Sequence, residues 1–189
     1  MRLHFLLLLL SLASVKVTGQ DKWNYSTHNN FIELKDTEYI VAFIEHNSKL
    51  SVKNKELLFI NVLTGETSNV VFPKGTYIKN MEHIKIDSLG INKVILTGRL
   101  VNLDDSKKIG WNDPKQIIIS SVDGKTQTQI TDDNFFVGYY VVNKKFGVIA
   151  ISGYQDNNNN CKYDKGDKPE ILLYSLKEMK LIKRIDIHD

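Results

Sequence analysis

From residue 30 onwards, short apolar runs alternate with short polar segments, and no stretch follows the period of an amphipathic helix. The apolar runs are rich in β-branched and aromatic residues and are separated by turn residues, which is typical of strands. The pattern predicts twelve strands: Phe31–Leu34, Tyr39–Glu45, Leu57–Val62, Asn69–Phe72, Tyr77–Ile86, Lys93–Val101, Gln116–Val122, Thr126–Ile130, Phe135–Val142, Gly147–Gly153, Ile171–Leu176 and Leu181–Ile187.

The predicted strands fall into three groups of four, and in each group a tight turn joins the third strand to the fourth. The third strands align at Leu57, Ile117 and Ile171, which are 60 and 54 positions apart. A four-stranded repeat of this length is typical of β-propeller blades. We therefore predict an all-β fold of three four-stranded antiparallel, propeller-like blades, at approximately 30–73, 76–131 and 134–188.

Closed propellers have about four to eight blades, whereas this sequence contains three groups of strands. Three arrangements follow from that mismatch. The chain closes by association with another copy, it remains an open stack of three sheets, or its strands form a different β-sandwich or barrel. We favour the open or incomplete propeller.

The segment Ile117–Asp132 contains a strand, an Asp123-Gly124 turn and a second strand that ends in Ile130-Thr131. This segment resembles the repeat of TolB-type periplasmic propellers. The resemblance covers one blade well and the other two through their spacing. It implies a periplasmic or secreted protein with a propeller-like fold, and calcium loops between the second and third strands of a blade also occur in such bacterial proteins.

Residues 1–19 contain the basic Arg2, an almost wholly apolar run at 3–12, and small residues up to Gly19. This order predicts a signal peptide, because a membrane span needs about 20 apolar residues. A single domain would then cover residues 20–189, in the periplasm or outside the cell. A lipoprotein anchor is not expected because the cleavage region contains no cysteine; a retained N-terminal anchor is the alternative.

Removal of Arg2 and Lys16 lowers the formal net charge from +3 to about +1. So balanced a charge does not favour nucleic acid or an anionic membrane surface as a partner. The sequence has one cysteine, Cys161, which excludes an intramolecular disulfide and leaves a free or intermolecular thiol.

The segment Asp156–Asp167 has the length and oxygen spacing of a calcium loop, because Ca²⁺ takes oxygen ligands from alternate positions of a 12-residue loop. The expected affinity is low, about 10⁻⁴–10⁻³ M as in extracellular modules. A solvated Asn- and Asp-rich turn is the alternative. The predicted ligands are Asp156, Asn158, Asn160, Asp164 and Asp167 at positions 1, 3, 5, 9 and 12, with the backbone carbonyl of Lys162 at position 7.

Two positions depart from the EF-hand pattern. Position 6, where a positive φ favours Gly, is Cys161, and position 12 is Asp167 rather than Glu. The loop therefore resembles those of dockerins and extracellular β-proteins. A second, poorer copy, predicted to bind weakly or not at all, lies between the equivalent strands of the preceding blade: Asn102, Asp104, Ser106, Lys108, Gly110 and Asp113.

No complete Gly-x-Ser-x-Gly or His-Glu-x-x-His motif is present. Trp23, Trp111, Tyr139 and Tyr140 could line a ligand groove, although aromatic residues in strands favour core or cross-strand positions. We favour a non-catalytic binding or scaffold domain with a structural calcium loop, a protein or glycan partner, and an option of homo-oligomer formation. The alternative is a secreted hydrolase of glycans or peptides, which would require convergent carboxylates from separate blades.

Overall fold

The computed structural model describes residues 25–48, 51–104, 106 and 108–187, so the predicted signal peptide and Trp23 lie outside it. No helix within these ranges is long and apolar enough to cross a membrane. The described elements are β1 (Tyr25–Glu33), β2 (Tyr39–Ser48), β3 (Ser51–Asn61), β4 (Thr67–Val71), β5 (Tyr77–Ile86), a 3₁₀ helix (Asp87–Leu89), β6 (Ile91–Arg99), β7 (Lys115–Ser121), β8 (Gln127–Gln129), β9 (Phe135–Asn143), β10 (Val148–Gln155), β11 (Lys168–Ser175) and β12 (Lys180–Asp186).

The strands form three four-stranded antiparallel sheets in which neighbours in sequence are neighbours in space. Sheet 1 contains β1–β4, sheet 2 contains β5–β8 and sheet 3 contains β9–β12. As described, none of the three sheets closes into a barrel. The predicted all-β fold of three open, propeller-like blades is confirmed.

The turn between β7 and β8 shows how the sequence ends a strand. The Asp123 carboxylate accepts hydrogen bonds from the Ser121 hydroxyl and from the Lys125 N–H, at 2.5 and 3.0 Å. Gly124 follows with a φ of 69°, in the left-handed region that glycine enters at little cost. A Cβ atom at this position would also overlap the ring of Phe59 in sheet 1. The predicted Asp-Gly turn therefore brings sheets 1 and 2 into close contact.

Two apolar cores lie on opposite sides of sheet 2. One packs residues of sheet 1, such as Leu57 and Phe59, against Leu96 of β6. The other packs Ile119 of β7 against Leu172 of β11. All five side chains are at most 1% exposed. Burial of such side chains contributes about 1.5–3 kcal/mol each, so sheet 2 is stabilised from both of its faces.

The strand boundaries differ from the sequence prediction chiefly in sheet 1. β2 and β3 extend beyond their apolar runs, and Glu45 pairs in register with Lys55. These two side chains form a salt bridge with a 3.0 Å N–O distance. The short helix at Asp87–Leu89 was not predicted. Polar residues at the ends of hairpins pair through the backbone, and hydropathy does not detect that pairing.

Candidate functional site: two inter-strand loops beside a cleft

Two long loops connect a second strand to a third strand in neighbouring sheets. Loop A, residues 100–114, joins β6 to β7, and loop B, residues 156–167, joins β10 to β11. These are the two segments that share the spacing of a calcium loop. The structure therefore places the two copies of the frame at equivalent points of successive sheets.

Loop B is anchored by buried carboxylates at its two ends. Asp156, which is 3% exposed, accepts backbone hydrogen bonds from Asn160 at 3.2 Å and from Cys161 at 2.9 Å. Asp167, which is 6% exposed, accepts one at Oδ2 from the Asp164 N–H at 2.8 Å. Positions 1 and 12 of the predicted frame thus point inward.

The second carboxylate oxygen of Asp167 distinguishes loop B from loop A. In loop A, Asp113 Oδ1 accepts from the Leu103 N–H at 2.8 Å, and its Oδ2 accepts from the Gly110 N–H at 2.6 Å. In loop B, Oδ1 of Asp167 is buried and has no hydrogen-bond partner among the described residues. A buried polar atom without a partner costs about 1–3 kcal/mol. Loop A satisfies both oxygens of its final carboxylate, whereas loop B leaves one oxygen of Asp167 without a donor.

Asp164 lies in the middle of loop B and collects several donors. Its Oδ1 accepts from the Gly166 N–H at 2.6 Å, and its Oδ2 accepts from the side-chain amides of Asn158, at 3.2 Å, and Asn160. The Gly166 N–H, followed by the two amides, holds the pKa of the Asp164 carboxyl below its ordinary value. Asp164 is therefore a carboxylate at neutral pH.

The donors of loop B suit Ca²⁺ in kind, because every predicted ligand is an oxygen atom. Within the described residues, however, no group of three or more His, Cys, Asp or Glu side chains is placed so that it could hold a metal ion. Asp156, Asp164 and Asp167 do not converge on one point in this conformation. For Ca²⁺ to bind, the Asp164 carboxylate would have to release the amides of Asn158 and Asn160 and contact the ion instead. The backbone carbonyl of Lys162 would have to contact the ion as well.

The backbone of loop B is left-handed at the position where a calcium loop favours Gly. Cys161 has a φ of 60°, and Asn159 has a φ of 54°. Such values are uncommon for residues with a Cβ atom. At Cys161 this conformation accompanies the hydrogen bond from its N–H to Asp156. The positive φ expected at position 6 is present despite the cysteine side chain.

Loops A and B flank a cleft of about 550 Å³ between sheets 2 and 3. Trp111 of loop A is 79% exposed, and Tyr163 of loop B is 57% exposed. The Tyr163 ring lies 4.7 Å from that of Tyr154, centroid to centroid. The lining comprises Arg99, Trp111, Asn112, Asp113, Pro114, Lys115, Phe136, Val137, Gly138, Tyr154, Lys162 and Tyr163.

The exposed Trp111 shows that the core or cross-strand interpretation was wrong for this residue. Tyr139 is also 73% exposed. By contrast, Tyr140 is half-buried and donates a hydrogen bond to Glu82 at 3.0 Å. Of the described aromatic residues considered for a groove, Trp111 is the one that reaches the 550 Å³ cleft.

The cleft gathers positive side chains that sequence analysis missed. The Arg99 guanidinium lies 4.8 Å from the centroid of the Trp111 ring, and its Nε donates to the Asp113 carbonyl at 3.1 Å. Lys115 donates to the Gly138 carbonyl at 3.2 Å. Burial, followed by the charges of Lys79 and Arg99, lowers the pKa of Lys115. These residues come from separate strands, and no spacing in the sequence indicates that they meet.

Together these features define an all-β protein of three propeller-like sheets with two long loops beside one cleft. No family model matches the chain, and no curated protein does. Among solved structures, the chain is similar to an acylaminoacyl peptidase of Pyrococcus horikoshii, with 9% sequence identity and a TM-score of 0.47. The match covers 86% of this chain and 25% of that one, so the chain spans about a quarter of the peptidase's length.

Proposed function

We propose that this chain is a secreted or periplasmic, non-catalytic binding domain of TolB-like repeats, in which loop B holds a structural Ca²⁺ ion. The observation that carries this proposal is the buried Asp167 Oδ1 without a partner. A cation at this point would satisfy that oxygen and offset the charge of the Asp167 carboxylate. Loop A, whose Asp113 is fully hydrogen-bonded, binds no ion.

The proposed ion acts through the shape of loop B. Lys162 and Tyr163, which line the cleft, lie within the loop between Asn160 and Asp164. An ion held by Asn160 and Asp164 would restrict the backbone between them, which carries Lys162 and Tyr163. A loop restricted in advance loses less conformational entropy on binding, so Ca²⁺ would strengthen binding of a partner in the cleft.

The charges around the cleft support binding over hydrolysis. The one carboxylate among the described residues of its lining is Asp113, and both of its oxygens accept backbone N–H groups. Hydrolysis of glycosidic bonds ordinarily uses a pair of carboxyl groups about 5–9.5 Å apart. Cationic and aromatic side chains make up most of the functional groups there instead.

Thermal unfolding of residues 20–189, in chelator and then in 10 mM Ca²⁺, tests the calcium site. Ligand that binds only the native state stabilises it by RT ln(1 + [L]/Kd), which is about 2.7 kcal/mol for a Kd of about 0.1 mM. We expect Ca²⁺ to raise the unfolding temperature. Asp156→Ala and Asp164→Ala should each abolish that rise.

The matched control is Asp104→Ala, which removes a carboxylate from loop A and should leave the calcium response unchanged. The two apolar cores do not include loop B, so we expect the wild-type protein to stay folded in chelator. An unchanged unfolding temperature in Ca²⁺ would reduce loop B to a polar turn. Unfolding in chelator would show instead that the ion is needed for the fold.

A further inference from the structure

We infer that the cleft between loops A and B binds an acidic saccharide, a sugar chain bearing carboxylate or sulfate groups. This inference rests on the proposed binding function and names its ligand class. Two features of the cleft support it: cations that outnumber the carboxylate of the lining, and flat aromatic surface beside them.

Positive charge is concentrated at the cleft, where the described lining contains three cations and one carboxylate, that of Asp113. Arg99, Lys115 and Lys162 line the cleft, and Lys79 lines a smaller one of about 250 Å³ that shares Lys115. The salt bridges among the described residues include none of these four cations. Bringing like charges together costs free energy, and an anionic ligand would remove that cost.

The aromatic surface is exposed and held in place. Trp111 is 79% exposed, with the Arg99 guanidinium 4.8 Å from its ring centroid and the Tyr77 ring at 5.8 Å. Tyr163 contacts the rings of Tyr154 and Phe136. Exposed rings offer flat apolar faces for sugar rings, and the adjacent guanidinium suits planar carboxylate or sulfate groups. The volume lies within the range of about 300–1,000 Å³ usual for small-molecule sites.

Isothermal titration of residues 20–189, in 5 mM Ca²⁺, tests this with three oligosaccharides of equal length. Oligogalacturonate carries carboxylates, a heparin-derived oligosaccharide carries sulfates, and a malto-oligosaccharide is neutral. We expect at least one acidic saccharide to bind at least tenfold more tightly than the neutral one, and binding to weaken as salt rises. The stronger acidic ligand identifies the charged group.

Trp111→Ala and Lys162→Ala should each weaken that binding at least tenfold, and because both side chains are exposed, neither change should unfold the protein. Lys177→Ala, in the exposed turn at the far end of β11, is the matched control and should have no effect. Equal binding of the neutral saccharide would overturn the inference. No binding in a protein that still responds to Ca²⁺ would overturn the ligand class and leave the calcium loop standing.

The packing order of the sheets carries a second, independent inference. Leu57 and Phe59 of β3 lie on the face of sheet 1 that packs against sheet 2. The aligned residues of β7, Ile117 and Ile119, lie on the face of sheet 2 that packs against sheet 3. We call this face of each sheet its leading face and the opposite one its trailing face. Each leading face thus covers the trailing face of the next sheet.

Two faces have no partner sheet among the described residues: the leading face of sheet 3 and the trailing face of sheet 1. The leading face of sheet 3 carries Leu173 of β11, aligned with Phe59, and Val141 of β9, which is 56% exposed. Both pair with Ala150 in the register of the sheet. The trailing face of sheet 1 carries Leu58 of β3 and Phe31 of β1, which is 59% exposed.

The geometry points to a second copy of this chain as the occupant. The leading face of sheet 3 in each copy would pack on the trailing face of sheet 1 in the other copy. Sheets 1 and 2, and sheets 2 and 3, already pack in this way within one chain. Two such contacts close a two-fold ring of six sheets, within the range of about four to eight blades found in propellers. Each contact would repeat the type of core already present twice.

Sedimentation equilibrium of residues 20–189 at about 100 µM, well above the Kd of a standard interface, tests for the dimer. We expect a dimer that Val141→Lys or Phe31→Glu converts to a monomer. Mixing these two variants should restore dimers. In the mixed dimer one contact has the wild-type residues on both faces, and in the other the introduced Lys faces the introduced Glu.

Leu63→Glu, in the β3–β4 turn where Leu63 is 83% exposed, is the matched control and should remain dimeric. A monomeric wild-type protein would overturn the inference. Open-ended assemblies that grow with concentration would overturn the closed ring as well.

Discussion

Tyr140 links sheets 2 and 3 through a polar contact at the edge of their shared core. Its hydroxyl donates to Glu82 Oε2 at 3.0 Å and accepts from the Asn80 amide at 3.4 Å. Burial, followed by the hydrogen bond to Glu82, raises the pKa of Tyr140 to about 12. The neutral phenol is therefore the form that the folded protein stabilises.

We expect Tyr140→Phe to lower the free energy of unfolding by about 1–3 kcal/mol, because Glu82 loses a donor in a partly buried place. Urea unfolding at pH 7 measures this. The wild-type advantage is fully present below the ordinary tyrosine pKa of 10.0. It should be lost as pH rises through the folded pKa of about 12.

The neighbouring Tyr139→Phe is a matched control, since Tyr139 is 73% exposed. A surface change of this kind is expected to stay within about 0.5 kcal/mol. Equal losses in the two variants would show that the Tyr140 hydroxyl has no special role.

At the residue scale, sequence analysis identified the ends of loop B but not the difference between its carboxylates and those of loop A. Asp113 and Asp167 occupy the same position of the same frame and are both buried. The N–H of position 9 donates to this carboxylate in both loops, so the difference depends on position 2, whose N–H donates as well in loop A. Backbone orientation of this kind cannot be derived from residue type and spacing.

Among the elements, β12 is an edge strand whose Arg184 side chain connects it to β11, to β10 and to the segment ahead of β9. Arg184 donates to Glu170 of β11 at 2.5 Å, to Gln155 of β10 at 3.0 Å, and to Asp132 ahead of β9 at 3.0 Å. Glu170 is 5% exposed. The arginine thus compensates a buried carboxylate as well as fastening the strand.

We expect Arg184→Ala to destabilise the protein by about 3–5 kcal/mol, because it leaves the Glu170 charge buried and unpaired. Urea unfolding measures the loss, and hydrogen exchange should show reduced protection in β12. Arg184→Lys should recover only part of it, since an ammonium lacks the fork of donors. Lys183→Ala, at the exposed neighbouring position, is the control; a loss of similar size there would contradict this account.

The strands themselves were largely predictable. Apolar runs such as Tyr77–Ile86 coincide with observed strands. Part of each such strand is buried in the core, and buried positions are apolar in the sequence. β1–β3 and the helix at Asp87–Leu89 were harder to predict, because hairpin pairing and local backbone geometry extend polar segments into regular structure. Strand positions were thus predicted well where side chains are buried and poorly where backbone pairing alone sets the end of a strand.

For the whole molecule, the repeat spacing predicted three sheets, and their order of packing follows from alternation along each strand. The 550 Å³ cleft was beyond sequence reasoning because Arg99 and Lys115 come from sheet 2, Tyr154 from sheet 3, and Trp111 and Tyr163 from the two loops. Residues that meet only when sheets 2 and 3 stack leave no local pattern. A cleft assembled between repeats therefore cannot be predicted from the pattern of a single repeat.

Cys161 allows a fluorescent label to be attached at one site of the wild-type protein. It is the single cysteine of the sequence, its thiol is free and partly exposed, and it sits between two proposed ligands of loop B. A thiol-specific fluorophore would attach at this one point in the wild-type chain. The dye would then lie a few residues from both the proposed calcium ligands and the cleft, so one emission signal would test both proposed binding events without any engineered substitution.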